Sequence, residues 1–321
     1  MIKGKWGGSL SSSGWSLVAG AILVLVLGVG VYTLQQPRQG YYKYGPDPLA
    51  IKENCDELKA SVEEYVKNKP GTFGVYYFDL KTGAHFGINE KEPLPAASSI
   101  KIIPALYLYR QAAAGKISLE EEMTYNPDTD WAGGAGTIRW NAATGQAYTL
   151  RELAKLLIRV SDNVAWKMLN RRLGLDNLKA FMRDLGGKTI YPEGQNWSTA
   201  EDLTTYMRAV LRFSEENPEL GGLLIEDLTH TTSDKEGVPA LLPGDVRVGH
   251  KVGALAGVAN DVSVVFLPDR PYILTVLTKD VGASEDPGFE AIAEISRMVY
   301  DYKQRQKLPG GTPGQSSGEN K

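Results

Sequence analysis

The sequence predicts an α+β fold, in which an antiparallel sheet is packed by terminal helices and joined to a helical lobe, with a cleft between them. Short runs of β-branched and aromatic residues predict the sheet, because they lie near both ends of the folded region, at Phe73–Phe78 and at Val258–Leu267. Helical patterns occupy the chain between these runs. Their position predicts the separate lobe.

The individual elements follow from local patterns. Apolar residues recur at helical spacing over Leu49–Lys67, and the run that follows ends in the turn DLKTG, which indicates a helix and then a hairpin. A second hairpin is predicted where Val258–Leu267 and Tyr272–Thr278 flank the turn PDRP, and a final helix at Phe289–Tyr302. In the middle of the chain, two capping boxes open apolar-periodic segments: Thr149 with Glu152, and Ser198 with Glu201.

Composition excludes several classes of protein. The 321 residues are 42% hydrophobic and 23% charged, which argues against a disordered, collagen-like or polytopic membrane chain. Thirty-five Lys and Arg against 38 Asp and Glu leave no basic surplus that would bind nucleic acid. Cys55 is the one cysteine in the sequence, so neither an intrachain disulfide nor an all-cysteine metal site can form.

The N-terminal region predicts a membrane anchor. Residues 17–34 contain no charged side chain, are long enough to cross a bilayer as a helix, and follow Lys3 and Lys5, which favours a cytoplasmic N-terminus. A cleaved signal peptide, with secretion of the rest, is the alternative, although VYTLQQP has no small-residue cleavage site. A buried helix is a third possibility.

With this predicted anchor, the chain is divided into five parts. Residues 1–16 form a short cytoplasmic segment, 17–34 the anchor and 35–48 a Pro-, Gly- and Tyr-rich linker. Residues 49–303 form the folded domain outside the cytoplasm, and 304–321 a disordered tail rich in Gly, Pro and Ser. We expect a single-pass membrane protein that is monomeric.

The motif Ser98-Ser99-Ile100-Lys101 opens an apolar helical segment and carries the first catalytic hypothesis. A spacing of three places Ser98 and Lys101 on one helix face, so that the amine can reach the hydroxyl. A serine hydroxyl becomes nucleophilic when a neighbouring base takes its proton, and a partly desolvated lysine can serve as that base. The pattern occurs often by chance, so it needs further support.

Two more motifs supply that support. Ser161-Asp162-Asn163 lies between two predicted helices, where a plain helix cap is the simpler alternative. Lys251-Val252-Gly253 opens a late strand, where a lysine and a glycine allow a ligand to approach the backbone near a positive charge. The order and placement of the three motifs agree.

Together the three motifs resemble those of the active-site serine enzymes, the class A β-lactamases and penicillin-binding proteins, over roughly Leu49–Tyr302. The resemblance implies the β-lactamase/transpeptidase-like fold, a covalent acyl-enzyme and no metal or other cofactor. It implies the following roles: Ser98 as nucleophile, Lys101 as its proton acceptor, Ser161 as a relay to the leaving nitrogen, Asn163 on the substrate amide, Lys251 and Gly253 on the substrate carboxylate side, and the backbone N–H groups of Ser98 and Ala254 as an oxyanion hole.

The sequence departs from the family pattern at two places. Val252 and Ala254 stand where hydroxyl residues are usual, which puts affinity for penicillin-like acids in doubt. The segment TIYPEGQNW is too short for the usual omega loop, whose glutamate activates the deacylating water. Glu193 and Asn196 could replace that pair only in part, so we expect slow deacylation.

The resemblance leaves four functions open. The first is hydrolysis of β-lactam-like amides, and the second is D,D-peptidase action on peptidoglycan stem peptides. The third is a β-lactam or cell-wall sensor that stays acylated, and the fourth is a structural protein with an inactive site. The three histidines, His85, His230 and His250, have no metal-ligand spacing, and we expect structural or surface roles for them.

Overall fold

The computed structural model of this protein describes residues 54–306. Its sheet strands are β1 (Thr72–Asp79), β2 (His85–Ile88), β7 (Val248–Leu255), β8 (Val258–Val265) and β9 (Tyr272–Lys279). The short strands are β3 (Leu94–Pro95), β4 (Glu122–Thr124), β5 (Ala147–Thr149) and β6 (Trp197–Ser198). The helices are α1 (Asp56–Lys67), α2 (Ile102–Ala113), α3 (Pro127–Asp130), α4 (Ile138–Asn141), α5 (Leu150–Arg159), α6 (Asn163–Leu173), α7 (Leu175–Asp184), α8 (Ala200–Glu216), α9 (Pro218–Leu228) and α10 (Asp286–Arg305).

The five long strands form one antiparallel sheet in the order β2-β1-β9-β8-β7. Strands from the two ends of the described chain are therefore neighbours at its centre. One face packs against α1 and α10, through residues such as Val62 and Ile292, and the other face packs against α8 and the helical lobe. This arrangement confirms the predicted α+β fold and leaves β7 as an edge strand beside the lobe.

Several predicted elements are confirmed, and two helix boundaries are different. The Thr149 and Glu152 capping box is present in full at the start of α5. The predicted box at Ser198 and Glu201 is wrong by one residue, because Thr199 caps α8 and accepts a hydrogen bond from the Asp202 N–H. The carboxylate of Asp202 instead accepts hydrogen bonds from the N–H groups of the preceding loop.

The ends of the predicted domain also differ from the structure. In the described residues the first helix begins at Asp56, whereas a start at Leu49 was expected; residues 49–53 lie outside the description. The last helix continues to Arg305, because Lys303 forms a buried ion pair with Asp79 and holds this end of the helix against the sheet. Residues 304 and 305, which the sequence assigned to the tail, therefore belong to this helix.

The predicted anchor, residues 17–34, lies outside the described residues, as do the linker at 35–48 and most of the tail. Between residues 54 and 306, no helix has both the length and the apolar character that crossing a membrane requires.

Candidate active site

A cleft of about 490 Å³ separates the helical lobe from the edge strand β7. Four residues with a role implied by the resemblance line it, in addition to Asn196: Ser98, Lys101, Asn163 and Ala254. They come from the start of α2, the start of α6 and the end of β7, three segments that are far apart in sequence. The fold thus brings parts of the first two motifs, and the residue that follows the third, to one cavity.

The nucleophile candidate lies on a tight turn. Residues Ala97–Lys101 form a 3₁₀-helix that continues into α2, and side chains three apart are eclipsed in such a helix, so Ser98 and Lys101 share one face. Ala97, directly before the serine, has a φ of 47°, in the left-handed region that residues with a Cβ seldom adopt. Such strain persists only where the surroundings enforce it.

Three neighbouring segments hold this turn in place. Asn260 on β8 donates its amide to the Pro95 carbonyl at 2.7 Å, and Asn196 donates its amide to the Ala97 carbonyl at 2.9 Å. Gly253 on β7 lies so close that a Cβ there would be 2.9 Å from the Ser98 nitrogen. Only glycine permits this approach, which brings the end of β7 beside the backbone of the nucleophile.

Lys101 is buried at the base of the cleft. Its Nζ donates to the Ser161 carbonyl at 2.5 Å, to Ser161 Oγ at 3.3 Å and to Asn163 Oδ1 at 2.6 Å. Burial, followed by the nearby charge of Lys251, lowers the pKa of this amine to about 7, although the charge of Asp162 opposes the change. At neutral pH a large fraction of Lys101 is therefore uncharged and can accept a proton.

The hydrogen bonds of Lys101 differ from the expected pairing. None of those it donates within the described residues goes to Ser98 Oγ; all three go to the second motif. The lysine therefore connects the turn that carries Ser98 to Ser161 and Asn163.

Asp162, the middle residue of the second motif, organises the segments around it. One carboxylate oxygen caps α6 by accepting from the N–H groups of Val164 and Ala165, and the other accepts from the N–H groups of Thr137 and Ile138. The helix-cap alternative for this motif is thus correct for Asp162. The same cap orients Ser161 and Asn163 on either side of it.

The glycine-rich loop before α4 is held against Asn163. The Asn163 amide donates to the Gly133 carbonyl at 2.7 Å, and its backbone N–H donates to the Ala135 carbonyl at 3.0 Å. Gly136 has a φ of 117°, and a Cβ there would be 2.4 Å from the Asp162 carboxylate. This close packing fixes one wall of the cleft.

Lys251 is closer to the core than the sequence indicates. It is 2% exposed and its Nζ donates to the Val252 carbonyl at 2.8 Å. Burial lowers its pKa to about 8, against the opposing charges of Asp261 and Glu236. The amine can influence the cleft by its charge, and its hydrogen bond goes to its own strand.

The Val252 side chain lies on the opposite face of β7 from the Lys251 side chain. Lys251 pairs with Val262, whose side chain packs with the helical lobe, whereas Val252 packs with the cluster around α10. Strand alternation therefore separates the Val252 side chain from the Lys251 amine.

Strained backbone is concentrated around the cleft. Within residues 54–306, seven non-glycine residues have positive φ. Three are Asn or Asp, which tolerate it. The other four belong to the site segments: Ala97, Ser161, Tyr191 and Glu193.

The remaining candidates lie away from the reacting groups. Glu193 is exposed and does not line the cleft, although its neighbours Tyr191, Gly194 and Asn196 do. His85 and His230 are exposed, and His250 is buried between Asp261 and Thr231. The structure thus does not bring the proposed deacylation base to Ser98.

Several cleft residues were missed by sequence reasoning, among them three with polar or aromatic side chains. Trp166 and Asn170 follow Asn163 at helical spacing and share its face of α6, and Tyr191 comes from the short segment after α7. Helical spacing from Asn163 could have identified the first two. Trp131 and Trp140 are exposed and do not line the cleft.

Known proteins are similar to this chain in fold and in sequence. The acyl-enzyme of a PBP-A variant with penicillin G aligns with a TM-score of 0.73 and 27% identity, over 80% of this chain and 100% of that one. The β-lactamase of Bacillus licheniformis is 26% identical over 270 residues, which are 78% of this chain and 85% of its own length. The β-lactamase of Streptomyces albus G is 31% identical over 251 residues, 71% and 79% of the two chains.

The family described as "Beta-lactamase enzyme family" matches residues 57–303, which include every motif of the cleft. The match agrees with the sheet, the helical lobe and the serine-lysine arrangement between them. The chain therefore belongs to the beta-lactamase enzyme family and is a β-lactamase-like serine hydrolase.

Proposed function

We propose that this protein opens β-lactam amides through an acyl-enzyme on Ser98. The observation that carries the proposal is the buried Lys101 amine, whose pKa is lowered to about 7 and which shares a helix face with Ser98. Neutral Lys101 takes the hydroxyl proton as Oγ forms a bond to the carbonyl carbon. The C–N bond then breaks, and the ring nitrogen receives the proton through Ser161, which Lys101 contacts at 3.3 Å.

Slow deacylation is the second part of the proposal. Hydrolysis of the ester requires a base within hydrogen-bond reach of a water beside the carbonyl. Among the described residues that line the cleft, none is a carboxylate, and Glu193 is exposed outside it. Loss of a positioned base typically costs about 10² to 10⁴ in the step that it serves.

Intact mass spectrometry after mixing with a fluorescent penicillin tests both parts. We expect a stoichiometric burst of labelling, an acylated mass that persists, and no label on Ser98→Ala. Labelling of Ser98→Ala would overturn the assignment of the nucleophile. Steady hydrolysis without a burst would overturn slow deacylation.

A D,D-peptidase acting on peptidoglycan stem peptides is the second candidate. It is supported by the likeness to PBP-A, a protein whose variant was solved as a penicillin G acyl-enzyme, together with the absence of a carboxylate from the described lining of the cleft. A stem peptide ending in D-Ala-D-Ala separates the candidates, because only a peptidase releases D-alanine. A sensor that stays acylated would release none and would keep its penicillin label indefinitely.

We further propose that residues 17–34 anchor the protein in the cell membrane, with the hydrolase domain outside the cytoplasm as a monomer. The support is the uncharged run of residues after Lys3 and Lys5. Fractionation with protease treatment of intact cells tests the orientation. The mass of the mature chain distinguishes an anchor from a cleaved signal peptide and a secreted protein, and light scattering measures the oligomeric state.

A further inference from the structure

Two tryptophans outside the active-site cleft lie close to it in the helical lobe. Trp131 directly follows α3, and Trp140 lies on α4. Trp140 is 73% exposed and Trp131 is 54% exposed, the two highest values among the large hydrophobic side chains of residues 54–306. Apolar surface of this size is unfavourable in water, and where it is clustered it marks a binding surface.

The two rings flank one arginine. The Arg139 guanidinium lies over the Trp140 ring, 4.2 Å from its centre. A Cβ at Gly133 would lie 3.7 Å from Trp131 Cη2 and 3.9 Å from Arg139 Nη1, so the Trp131 ring and the guanidinium border the same space beside this glycine. Together Trp131, Arg139 and Trp140 form one continuous surface, the tryptophan platform.

The backbone that carries the tryptophan platform is fixed at both ends. Asp130, which is 1% exposed, forms an ion pair with Arg171, and the Trp131 carbonyl accepts a hydrogen bond from Lys167 Nζ at 3.0 Å. The Asp162 carboxylate holds the start of α4, which carries the other two platform residues. A surface fixed in this way loses little conformational entropy when a ligand binds.

The Arg139 guanidinium has no partner of opposite charge in the part of the chain that the structure describes. No carboxylate of residues 54–306 forms an ion pair with it, and its Nε is buried there without a hydrogen-bond partner. A guanidinium left unpaired between aromatic rings can bind a carboxylate through two parallel N–H donors. The tryptophan platform therefore suits a ligand that has both apolar ring faces and a carboxylate.

The tryptophan platform continues into the active-site cleft. Gly134 and Ala135 line the cleft, and Asn163 donates its amide to the carbonyl of the preceding Gly133. A substrate that reaches the platform therefore has its reacting amide in the cleft and a second part outside it. A stem peptide attached to a glycan strand has such a second part, made of pyranose rings with apolar C–H faces.

We propose that Trp131, Arg139 and Trp140 bind the glycan strand of peptidoglycan while a stem peptide attached to that strand occupies the cleft. The pyranose rings cover the indoles with their C–H faces and keep their hydroxyl groups in water, and Arg139 pairs with a carboxylate of the attached peptide. This inference rests on the second candidate function, the D,D-peptidase, and names the part of its substrate that lies outside the cleft.

The tetramer of N-acetylglucosamine tests glycan binding without peptide and without reaction. On full-length Ser98→Ala, we expect saturable NMR shifts of the Trp131 and Trp140 indole N–H signals. Changing both tryptophans to alanine should raise the dissociation constant about tenfold or more. Leu241→Ala is the matched control, because Leu241 is 43% exposed and lies in a separate groove beside α10. Absence of binding by Ser98→Ala, or an equal loss in the control, would overturn the platform.

Glycan strands that carry stem peptides test the role of the arginine. Arg139→Gln in the Ser98→Ala background should weaken binding of these strands about tenfold, since it removes a charge-assisted pair of hydrogen bonds. Binding of the tetramer, which has no carboxylate, should change much less. Equal losses for the two ligands would contradict the pairing of Arg139 with a carboxylate.

Release of D-alanine separates this inference from the proposed function. On the native protein, stem peptides attached to glycan should have a KM about tenfold lower than free stem peptides, and Trp131→Ala with Trp140→Ala should remove the difference. If D-alanine is released with equal KM values, the platform does not serve the reaction and the proposal fails. If none is released, the peptidase candidate fails, and tetramer binding by Ser98→Ala still supports the platform. Binding of anionic phospholipid vesicles in place of the tetramer would assign the tryptophans to a membrane surface and overturn the glycan.

Discussion

Three lysines are buried in the part of the chain that the structure describes, and they lie in two regions with opposite surroundings. At one end of the molecule, Lys303 of α10 forms an ion pair with Asp79 of β1, which also accepts hydrogen bonds from the backbone of Lys81 and Thr82. At the active-site cleft, Lys101 and Lys251 hydrogen-bond only to neutral groups.

The surroundings decide what each charge can do. Burial alone would raise the pKa of Asp79, but the charge and hydrogen bond of Lys303, with the hydrogen bonds from Thr82, lower it overall. The two cleft lysines have no such partner, so burial lowers their pKa values to about 7 and about 8. A compensated lysine stabilises the fold, whereas an uncompensated one becomes available for proton transfer.

The largest expected effect comes from exchanging these lysines for methionine. Lys101→Met should lower the acylation rate about 10² to 10⁴-fold, because it removes the proton acceptor, and should change the free energy of unfolding by only about 1 kcal/mol. Lys303→Met should do the reverse. It leaves Asp79 as a buried unpaired charge, so stability should fall by about 3 to 5 kcal/mol while the folded protein acylates at the parental rate.

Stopped-flow acylation and urea denaturation measure the two quantities. The proposed difference between the two regions would be refuted if the acylation rate of Lys101→Met stayed within tenfold of the parental rate. It would also be refuted if Lys303→Met lost as much acylation as Lys101→Met.

The next effect concerns the close packing of β7 against the turn that carries Ser98. Gly253→Ala should lower acylation by about 10² to 10³-fold, because a Cβ 2.9 Å from the Ser98 nitrogen must push β7 away and displace the backbone N–H groups of the proposed oxyanion hole. Gly222→Ala is the control, since nothing lies within 4 Å of a Cβ at that helical position. Comparable losses in both variants, measured by the same stopped-flow assay, would refute the packing argument.

Asn196→Ala should have a smaller effect, about tenfold on acylation. The change removes the hydrogen bond to the Ala97 carbonyl and so relaxes the strained residue before Ser98. We expect the loss in the acylation rate constant rather than in the initial binding constant, because Asn196 supports the nucleophile turn. Asn68→Ala is the control: this exposed amide also donates to a backbone carbonyl, that of Glu64, far from the cleft. A change in binding alone would contradict a positioning role.

The smallest effect is the pH dependence of acylation. The reaction needs neutral Lys101, so its rate should rise as pH increases through about 7. Lys251 should be charged to attract a substrate carboxylate, so the rate should fall as pH increases through about 8. We therefore expect a bell-shaped pH profile for the second-order rate constant of acylation, measured between about pH 6 and 9. A rate that rises steadily up to pH 9 would show that Lys101 titrates as an ordinary surface lysine does, and a flat profile would exclude neutral Lys101 as the required base.

Much of the site could be predicted from local sequence because its motifs are short. Ser98 and Lys101 are one helical turn apart, and Ser161 and Asn163 flank a single capping residue. Local backbone geometry therefore places the two members of each pair close together, independently of the rest of the fold. The Thr149 and Glu152 capping box is confirmed for the same reason. The one-residue error at Ser198 arose where two adjacent hydroxyl residues could each serve as the cap.

Other features depend on contacts between distant segments. The partners of Lys101 lie 60 and 62 residues away, and sequence reasoning therefore placed its amine against Ser98 instead. Burial of Lys251 and the outward turn of Glu193 follow from how β7 and the loop after α7 pack, which no local pattern encodes.

By itself the sequence determined the fold class, the hairpins and the family resemblance, and it supplied the hypothesis of the Ser98 and Lys101 pair, because periodicity, turn residues and motif spacing act over a few residues. Tertiary structure decided which groups share the cleft and how charged they are. Three features require surfaces that meet only when the sheet and the helical lobe pack together. They are the desolvation of Lys101, the close approach of β7 to the turn that carries Ser98, and the position of Leu175 and Leu255 along one cleft.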